Sequence, residues 1–498
     1  MITIYQPEVI SKNGKSRLSA DLIIDDKRRT LWFEVDMEYE KYLCYERSDA
    51  FLVACIYYAM RNGHDITCVA PVTQELLFNL NQHLIPALCK SAPTLHHLRI
   101  FTSYTSEELE NDGGIGTGMS CGVDSFHTAL QHIDSQDERQ NLTHLVINDI
   151  GSFNAFNYGR YGVTKAREEI YTRARQVAAL LDLPLIETDS NFYEIFRNFM
   201  NCHTYSTAFT VMALQKLWSV YYIASSYEYH QFSLDHHETK DSAYYDLLSL
   251  NCFSTRQLRF YCEGGALGRA EKTAAIVDFP LVQQNLHVCH RRGYNCGICK
   301  KCRRTMLTID ALGKLDEFSD VFPVDNYNRN LDTYIKWLEK NALEEDEFCV
   351  EIVAFMHQLG KYPEVTARIS EMQERVKLTA SLGLAENLSE QLREKSIQIE
   401  KMVLPLTPSK TSFPNKTQKR ILALFKPFIR LTSPLEHLIW LEYDPSDFCA
   451  SLKKKPYRLF VKFLSCFGPK PVRTGFNKEV IRKFLSKKPA RTNAAKEK

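Results

Sequence analysis

Apolar positions along the first hundred residues come in short runs separated by polar turns. Strand-like runs fall at Ile2–Tyr5, Ala20–Ile24 and Thr30–Val35. The polar stretches Ser11–Lys15 and Asp25–Arg29 between them are what hairpins require. Phe51, Cys55 and Ala59 recur at every fourth position, which predicts a helix over Ser48–Met60 that Gly63 stops. Ile66–Val69, a helix over Gln74–Leu88 and His97–Phe101 complete an independent α/β unit over residues 1–105. It carries no chemical motif and reads as a packing or recognition domain.

Residues 106–315 alternate more clearly. Leu145–Ile147 is a β-branched run, and Thr164–Asp182 is an amphipathic helix with Ala166, Ile170, Ala174, Val177, Ala178 and Leu181 on one stripe. Pro184–Thr188 reads as a strand, Phe209–Leu217 as a helix and Val220–Ala224 as a strand. Strands alternating with helices of this length predict an α/β fold with a doubly wound parallel sheet. Residues 316–403 read as helical, with Leu384, Leu388, Leu392 and Ile399 forming a stripe. Pro405, Pro408 and Pro414 mark a linker at 404–420. The remainder, 421–498, is a basic module or tail in which Lys and Arg far outnumber Asp and Glu. Phe460, Phe463 and Leu464 among Lys453, Lys454, Lys455 and Arg458 suit either a basic amphipathic helix or a solvated tail.

Composition narrows the class. The 498 residues call for two or three domains, and a formal net charge of +2 gives no global field toward nucleic acid or membrane. Residues 1–15 lack the apolar core of a signal peptide. The most apolar stretch, Ala208–Ser226, is broken by Gln215 and Lys216 and reads as a buried helix running into a buried strand, so no transmembrane segment is expected. The fifteen cysteines then belong to a reducing, cytoplasmic compartment, as metal ligands or small core residues.

One stretch is built for phosphate. From Gly113 to Leu130, a glycine-rich, strand-like lead-in passes through Ser120, Cys121, Gly122, Val123, Asp124 and Ser125 into a helix. A polyphosphate needs amides pointing at it, hydroxyls to donate and a helix N-terminus behind. Ser120 and Ser125 supply hydroxyls, and Gly122 lets the backbone come close. Asp124 repels a bare phosphate, so it should hold Mg²⁺ or fix loop amides. A plain strand-to-helix turn is the competing reading.

A second stretch is built for a metal. Cys289, Cys296, Cys299 and Cys302 are separated by gaps of six, two and two residues, close enough for four thiolates on one tetrahedral ion. Gly297 permits the turn between ligands, and Lys300, Lys301, Arg303 and Arg304 offset thiolate charge. Zn²⁺ with four cysteines is the first expectation; an iron–sulfur cluster, or His287 or His290 in place of one cysteine, are the alternatives.

The run Ser120-Cys121-Gly122-Val123-Asp124-Ser125 resembles the Ser-Gly-Gly-x-Asp-Ser signature of the PP-loop ATP pyrophosphatases, with Cys121 where the first glycine of the pair stands. With Cys289, Cys296-Gly297-x-Cys299, Cys302 and the following Arg303 or Arg304, the chain is similar over about 115–315 to the 7-cyano-7-deazaguanine synthases. That resemblance implies a HUP-like, adenine nucleotide alpha hydrolase-like sheet and a zinc held by these cysteines. It also implies ATP with Mg²⁺ at 120–125 and adenylation of a carboxylate that ammonia then attacks. The Gly-Tyr-Pro-Asp-Cys-Arg substrate segment of those synthases is missing; the comparable region runs Ser225-Ser-Tyr-Glu-Tyr-His through Asp235-His-His-Glu. The chain is also longer at both ends, as are relatives of these synthases in anti-phage defence systems and modification clusters.

Within this reading Asp124, Arg269 and Lys272 are the expected catalytic residues, the two cations neutralising charge on the α-phosphate. The acceptor is a small-molecule or protein carboxylate, the nucleophile ammonia or another amine, and partner proteins of a defence or modification system fit. Nucleic acid is not the favoured partner. Asp235, His236, His237 and Glu238 form a metal or acid–base site or a polar loop. Asp149, Asn154 and Asn157 stand where such sheets contact ligands, His127 reads as packing, and Gly264-Gly265 as a backbone approach or a turn. Two other functions remain open: a nucleotide-binding regulatory or defence component without catalysis, and a PP-loop RNA-modifying enzyme with an iron–sulfur cluster.

Overall fold

The computed structural model describes residues 1–375 apart from 156–157, 159–160 and 236–240. The expected linker and basic module, the Leu384–Ile399 stripe, Asn157, His236, His237 and Glu238 lie outside the described residues.

The chain opens on β1 (Ile2–Ile4), β2 (Glu8–Lys12), β3 (Lys15–Ile24) and β4 (Lys27–Asp36). Asn13-Gly14 (φ 53° and 76°) joins β2 to β3, and Asp25-Asp26 (φ 50° and 61°) joins β3 to β4. Two-residue turns with both φ positive match the twist of the strands they connect. The helix Asp49–Asn62 ends on Gly63, left-handed at φ 66°, as its spacing predicts. The helix expected over Gln74–Leu88 is interrupted by a π-turn at Leu80–Leu84, next to Pro86, which has no amide to donate.

Nine more strands follow: β5 (Ile66–Cys68), β6 (Val72–Thr73), β7 (Ile100–Phe101), β8 (Tyr104–Thr105), β9 (Gly114–Gly118), β10 (His144–Asp149), β11 (Leu185–Ser190), β12 (Trp218–Ala224) and β13 (Arg259–Glu263). One sheet takes the order β13-β12-β9-β10-β11-β4-β3-β1-β5-β7 with β2 on β3, and β6 pairs with β8 apart from it. β9 to β13 are mutually parallel. Their order is Rossmann-like: the chain winds outward on one side of β9 through β10 and β11, then crosses to β12 and β13 on the other.

Residues 1–105, expected as a unit of their own, share this sheet. β4 pairs antiparallel with β11 through Asp189↔Glu34 and Ser190↔Phe33. The Asn191 side chain closes the seam, accepting from Trp32 N at 2.9 Å and donating to Thr30 O at 2.8 Å. The helix Phe199–Ala213 packs on Asp49–Asn62 through Phe209–Phe51 and Tyr205–Tyr57 ring pairs, with centroids 5.5 and 5.6 Å apart. This helix starts ten residues before the Phe209–Leu217 segment predicted for it and stops at Ala213. Lys216 turns out to an ion pair with Glu46 at 2.9 Å. The buried helix and strand read from Ala208–Ser226 are thus Phe199–Ala213 and β12, and among the described residues no helix is long and apolar enough to cross a membrane.

The glycines of β9 serve packing. A Cβ on Gly116 would lie 2.8 Å from the ring of Trp218, which is buried across the strand. Beyond the sheet, Val324–Arg329, Leu331–Leu343 and Glu347–Gln358 make the expected helical region, and they bury Tyr334, Leu338, Ile352 and Met356 against the helix Lys300–Ala311.

Candidate functional site

The loop 119–122 leaves the C-terminal end of β9 beside the end of β12, where the winding direction reverses. Ligands of doubly wound sheets bind at such a point. Gly122 caps the helix Val123–Gln131, whose first internal bond is Phe126 N to Gly122 O, so the amides of 123–125 precede the helical ladder. Ser120 Oγ lies 3.3 Å from Ser125 Oγ, and Ser125 Oγ donates to Gly122 O at 3.0 Å. Two hydroxyls and a helix start therefore face one spot.

The left-handed residue of this loop is Cys121, at φ 59°, while Gly122 is extended at φ −82°. A Cβ on Gly122 would meet only ordinary contacts, the nearest 3.4 Å away. The conformational demand therefore falls on the position where the PP-loop signature has its first glycine. Cys121 meets it by burying its side chain fully, and burial pushes its thiol up to about 12. A left-handed non-glycine residue costs about 1–2 kcal/mol. Cys121→Gly should remove that strain but lose the buried sulfur and gain unfolded-state entropy of about 0.5–1 kcal/mol. Net stability is expected to change by less than about 1 kcal/mol by these opposing effects; a large loss in thermal unfolding would show that the thiol, and not the turn, is what the fold needs.

Asp124 does not bond the loop amides. Its carboxylate takes Arg269 Nη2 at 2.7 Å and Lys272 Nζ at 3.7 Å. Both cations stand on the helix Arg269–Ile276, three residues apart and so on one face. Lys272 is 2% exposed and donates to Ser225 O at 2.7 Å; burial lowers its pKa while Asp124 opposes. Arg269 stacks on Phe348 at 4.6 Å, and Arg304 stacks on the same ring at 4.5 Å while bonding Asp346 at 2.6 Å. Glu351, on the Phe348 helix, accepts from Ala270 N at 2.6 Å. The helical region after residue 316 thus positions the cations, a contribution with no signal in local spacing.

A cavity of about 420 Å³ opens over these groups, with Ser120, Asp124, Asn148, His203, Arg269 and Arg304 among its walls. His203 was not singled out from the sequence. Its Nε2 bonds Asp241, whose other oxygen accepts from Tyr227 Oη at 3.4 Å. Burial opposes charge on the ring, but Asp241 outweighs it and raises the pKa of His203.

Of the other residues read from the sequence, Asp149 lies at the end of β10 in an ion pair with Arg167 at 3.1 Å, and burial raises it to about 6. Asn154 falls in the short helix Ser152–Ala155. His127 is buried as packing against Gly264, with neither ring nitrogen bonded. Gly265 lies under the Tyr229 ring, so this glycine pair is a close-packing point. Asp235 is exposed.

The four cysteines converge: their Sγ atoms all lie within 4.8 Å of one another, and neither His287 nor His290 joins the group. Arg291 N points at Cys289 Sγ (3.4 Å), and Cys302 N at Cys299 Sγ (3.5 Å), which caps the helix Lys300–Ala311. Amides aimed at sulfur and a helix start behind it stabilise thiolates. Gly297 takes φ 73°, and a Cβ there would strike Pro323 at 2.6 Å. Of the four basic residues beside the cluster, Arg304 spends its charge on Asp346 and Arg303 lies over Tyr334 and Trp337. The donor set is one that could hold a metal ion. The segment leading into the cluster also ties to the serine loop: His287 N donates to Cys121 O at 2.8 Å.

Fold and site define a Rossmann-like α/β protein whose switch-point cavity is lined by a serine loop, the cations Arg269 and Arg304, and Cys289 of the four-cysteine group. No family model, no curated protein and no solved structure matches the chain.

Proposed function

We propose that this chain is an ATP-dependent, AMP- and pyrophosphate-forming enzyme of the PP-loop class. In this reading it adenylates a carboxylate or amide for attack by a nitrogen nucleophile, in the manner of the 7-cyano-7-deazaguanine synthases. The observation that carries the reading is the convergence of Ser120, Ser125 and a helix N-terminus with Arg269 and Lys272 at one end of the sheet. Amides and hydroxyls suit the departing pyrophosphate, and the two cations suit charge growing on the α-phosphate. Catalysis then rests on positioning and electrostatics, with no side chain as nucleophile. Because Arg269 and Lys272 already occupy Asp124, Mg²⁺ would arrive on the ATP phosphates, and Asp124 would hold the two cations in line.

Zinc is the metal the sulfur spacing favours. Four ligands at about 2.3 Å from one tetrahedral ion lie roughly 3.8 Å apart. Cys289 and Cys299 sulfurs are 3.9 Å apart, whereas an iron–sulfur cluster interposes several atoms. That spacing also weighs against the RNA-modifying alternative. A role in a defence or modification system rests on the resemblance of the motifs alone.

The test is pyrophosphate release from ATP and Mg²⁺ by the full chain, with 7-carboxy-7-deazaguanine and ammonium. Acid-dependent release is the expected result. Release without the acid points to another acceptor. ATP bound but not cleaved favours a regulatory, non-catalytic component, which the cysteine at position 121 makes the second reading.

A further inference from the structure

The cavity holds a group that adenylation does not use. Once an acyl-adenylate exists, its attacker must be a neutral amine, yet at neutral pH ammonium and most alkyl amines are protonated. The second half-reaction therefore needs a base inside the cavity, and the titratable residues of its walls narrow the choice. Asp124 is committed to Arg269 and Lys272. His287 gives Nε2 to the carbonyl of Arg292 at 3.0 Å, and His290 adjoins Cys289. Arg269 and Arg304 are guanidinium cations that cannot give up a proton at neutral pH, and Lys301 sits between Cys299 and Cys302 of the cysteine group.

His203 differs from all of these. It stands on the helix Phe199–Ala213, on the wall that is not built by the cysteine segment, with Nε2 held by Asp241. Asp241 is itself fixed by Ala243 N at 3.0 Å and Tyr227 Oη at 3.4 Å. That leaves Nδ1 without a hydrogen-bond partner among the described residues. Among the described residues the charged groups acting on the ring are Asp241 and, farther off, Asp246, which accepts from Thr204 Oγ1 at 2.7 Å; the Phe199 ring lies 5.7 Å away.

We propose that His203, oriented by Asp241, takes the proton from the nitrogen nucleophile that attacks the acyl-adenylate. This rests on the adenylating reading. The nitrogen lone pair attacks the acyl carbon and the C–N bond forms. The C–O bond to AMP breaks, AMP leaves with that electron pair, and the proton shed by nitrogen passes to Nδ1 of His203. Asp241 stays ionised, fixes the ring and stabilises the imidazolium, as a carboxylate behind a histidine does in other acyl-transfer sites.

The test separates the two half-reactions in the full chain with ATP, Mg²⁺ and 7-carboxy-7-deazaguanine. His203→Gln and Asp241→Asn should leave ATP–pyrophosphate exchange within about twofold of wild type, while His203→Gln lowers ammonium-dependent amide formation by about 10²-fold or more, the usual worth of a general base. Hydroxylamine, largely unprotonated at neutral pH, should be spared most of that loss. The hydroxylamine-to-ammonium ratio is taken within one preparation, so it is insensitive to the fraction folded. Asp241→Asn should shift the acid limb of the amide-forming pH profile to lower pH, because removing the carboxylate lowers the pKa of the histidine. Unchanged ammonium turnover in His203→Gln, or equal loss of exchange and of both nucleophiles, overturns the assignment. Wild-type protein without exchange overturns the adenylating reading itself, and the role of His203 with it.

Discussion

Arg269→Ala and Lys272→Met are each expected to cut acid-dependent pyrophosphate release by about 10²- to 10³-fold, the usual cost of losing one preorganised electrostatic partner of a transition state. The two should differ in stability. Arg269 is partly exposed and stacked on Phe348, so its loss should leave the fold nearly intact. Lys272 is buried with its ammonium between Asp124 and Ser225 O, and methionine keeps the volume of its stem without the charge. Asp124→Ala is the harsher change. It leaves a buried ammonium without its carboxylate, which costs about 3–5 kcal/mol when a buried pair is broken. It should therefore lower the unfolding midpoint as well as activity, and Asp124→Asn is the control that keeps the side chain's size. Pyrophosphate release together with thermal unfolding reads both quantities. Full activity in Arg269→Ala would remove the cations from the mechanism.

The cysteine group should give the second large effect. A metal bound only by the native state adds about 4 kcal/mol when its free concentration is a thousandfold above Kd. A strong chelator, or Cys302→Ser, is expected to withdraw that contribution and to lower the unfolding midpoint by roughly 4 °C for a chain of this size. ATP affinity should fall with it, since the segment carrying Cys289 begins at His287, whose amide holds Cys121 O. Cys89→Ser, a half-buried cysteine outside the group, is the control and should leave metal content unchanged. Elemental analysis is expected to give one zinc per chain. Iron with a brown colour would replace zinc by a cluster, and metal-free protein with an unaltered midpoint would end the metal reading.

Local spacing made much of the site legible. The six residues from Ser120 to Ser125 span one loop and the helix start that follows it, and three of the four cysteines lie within seven positions, so chemistry and geometry were written side by side. The strand–helix alternation of 106–315 named most strands of the parallel half to within a residue or two. Arg269 and Lys272 were visible as cations at a helix start, but their partner Asp124 stands 145 residues away from Arg269 in sequence.

Three arrangements were not legible, each for the same kind of reason. β4 has the alternation of any half-buried strand, and nothing in it says that its free edge meets β11. His203 and Asp241 are 38 residues apart on elements with no shared period. Phe348 is an ordinary apolar residue on an amphipathic helix until Arg269 and Arg304 both close on its ring.

By itself the sequence located the serine-and-glycine loop after β9, the four cysteines that could hold a metal ion, most strands of the parallel half and the two hairpin turns, because each is written in one short stretch of chain. Only the tertiary structure decided that the N-terminal strands extend that sheet, that Asp124 serves Arg269 and Lys272, that Cys121 carries the left-handed turn, and that a histidine held by an aspartate lines the cavity. These depend on burial and on contacts between distant segments, which pairing energies settle only once the whole core has formed.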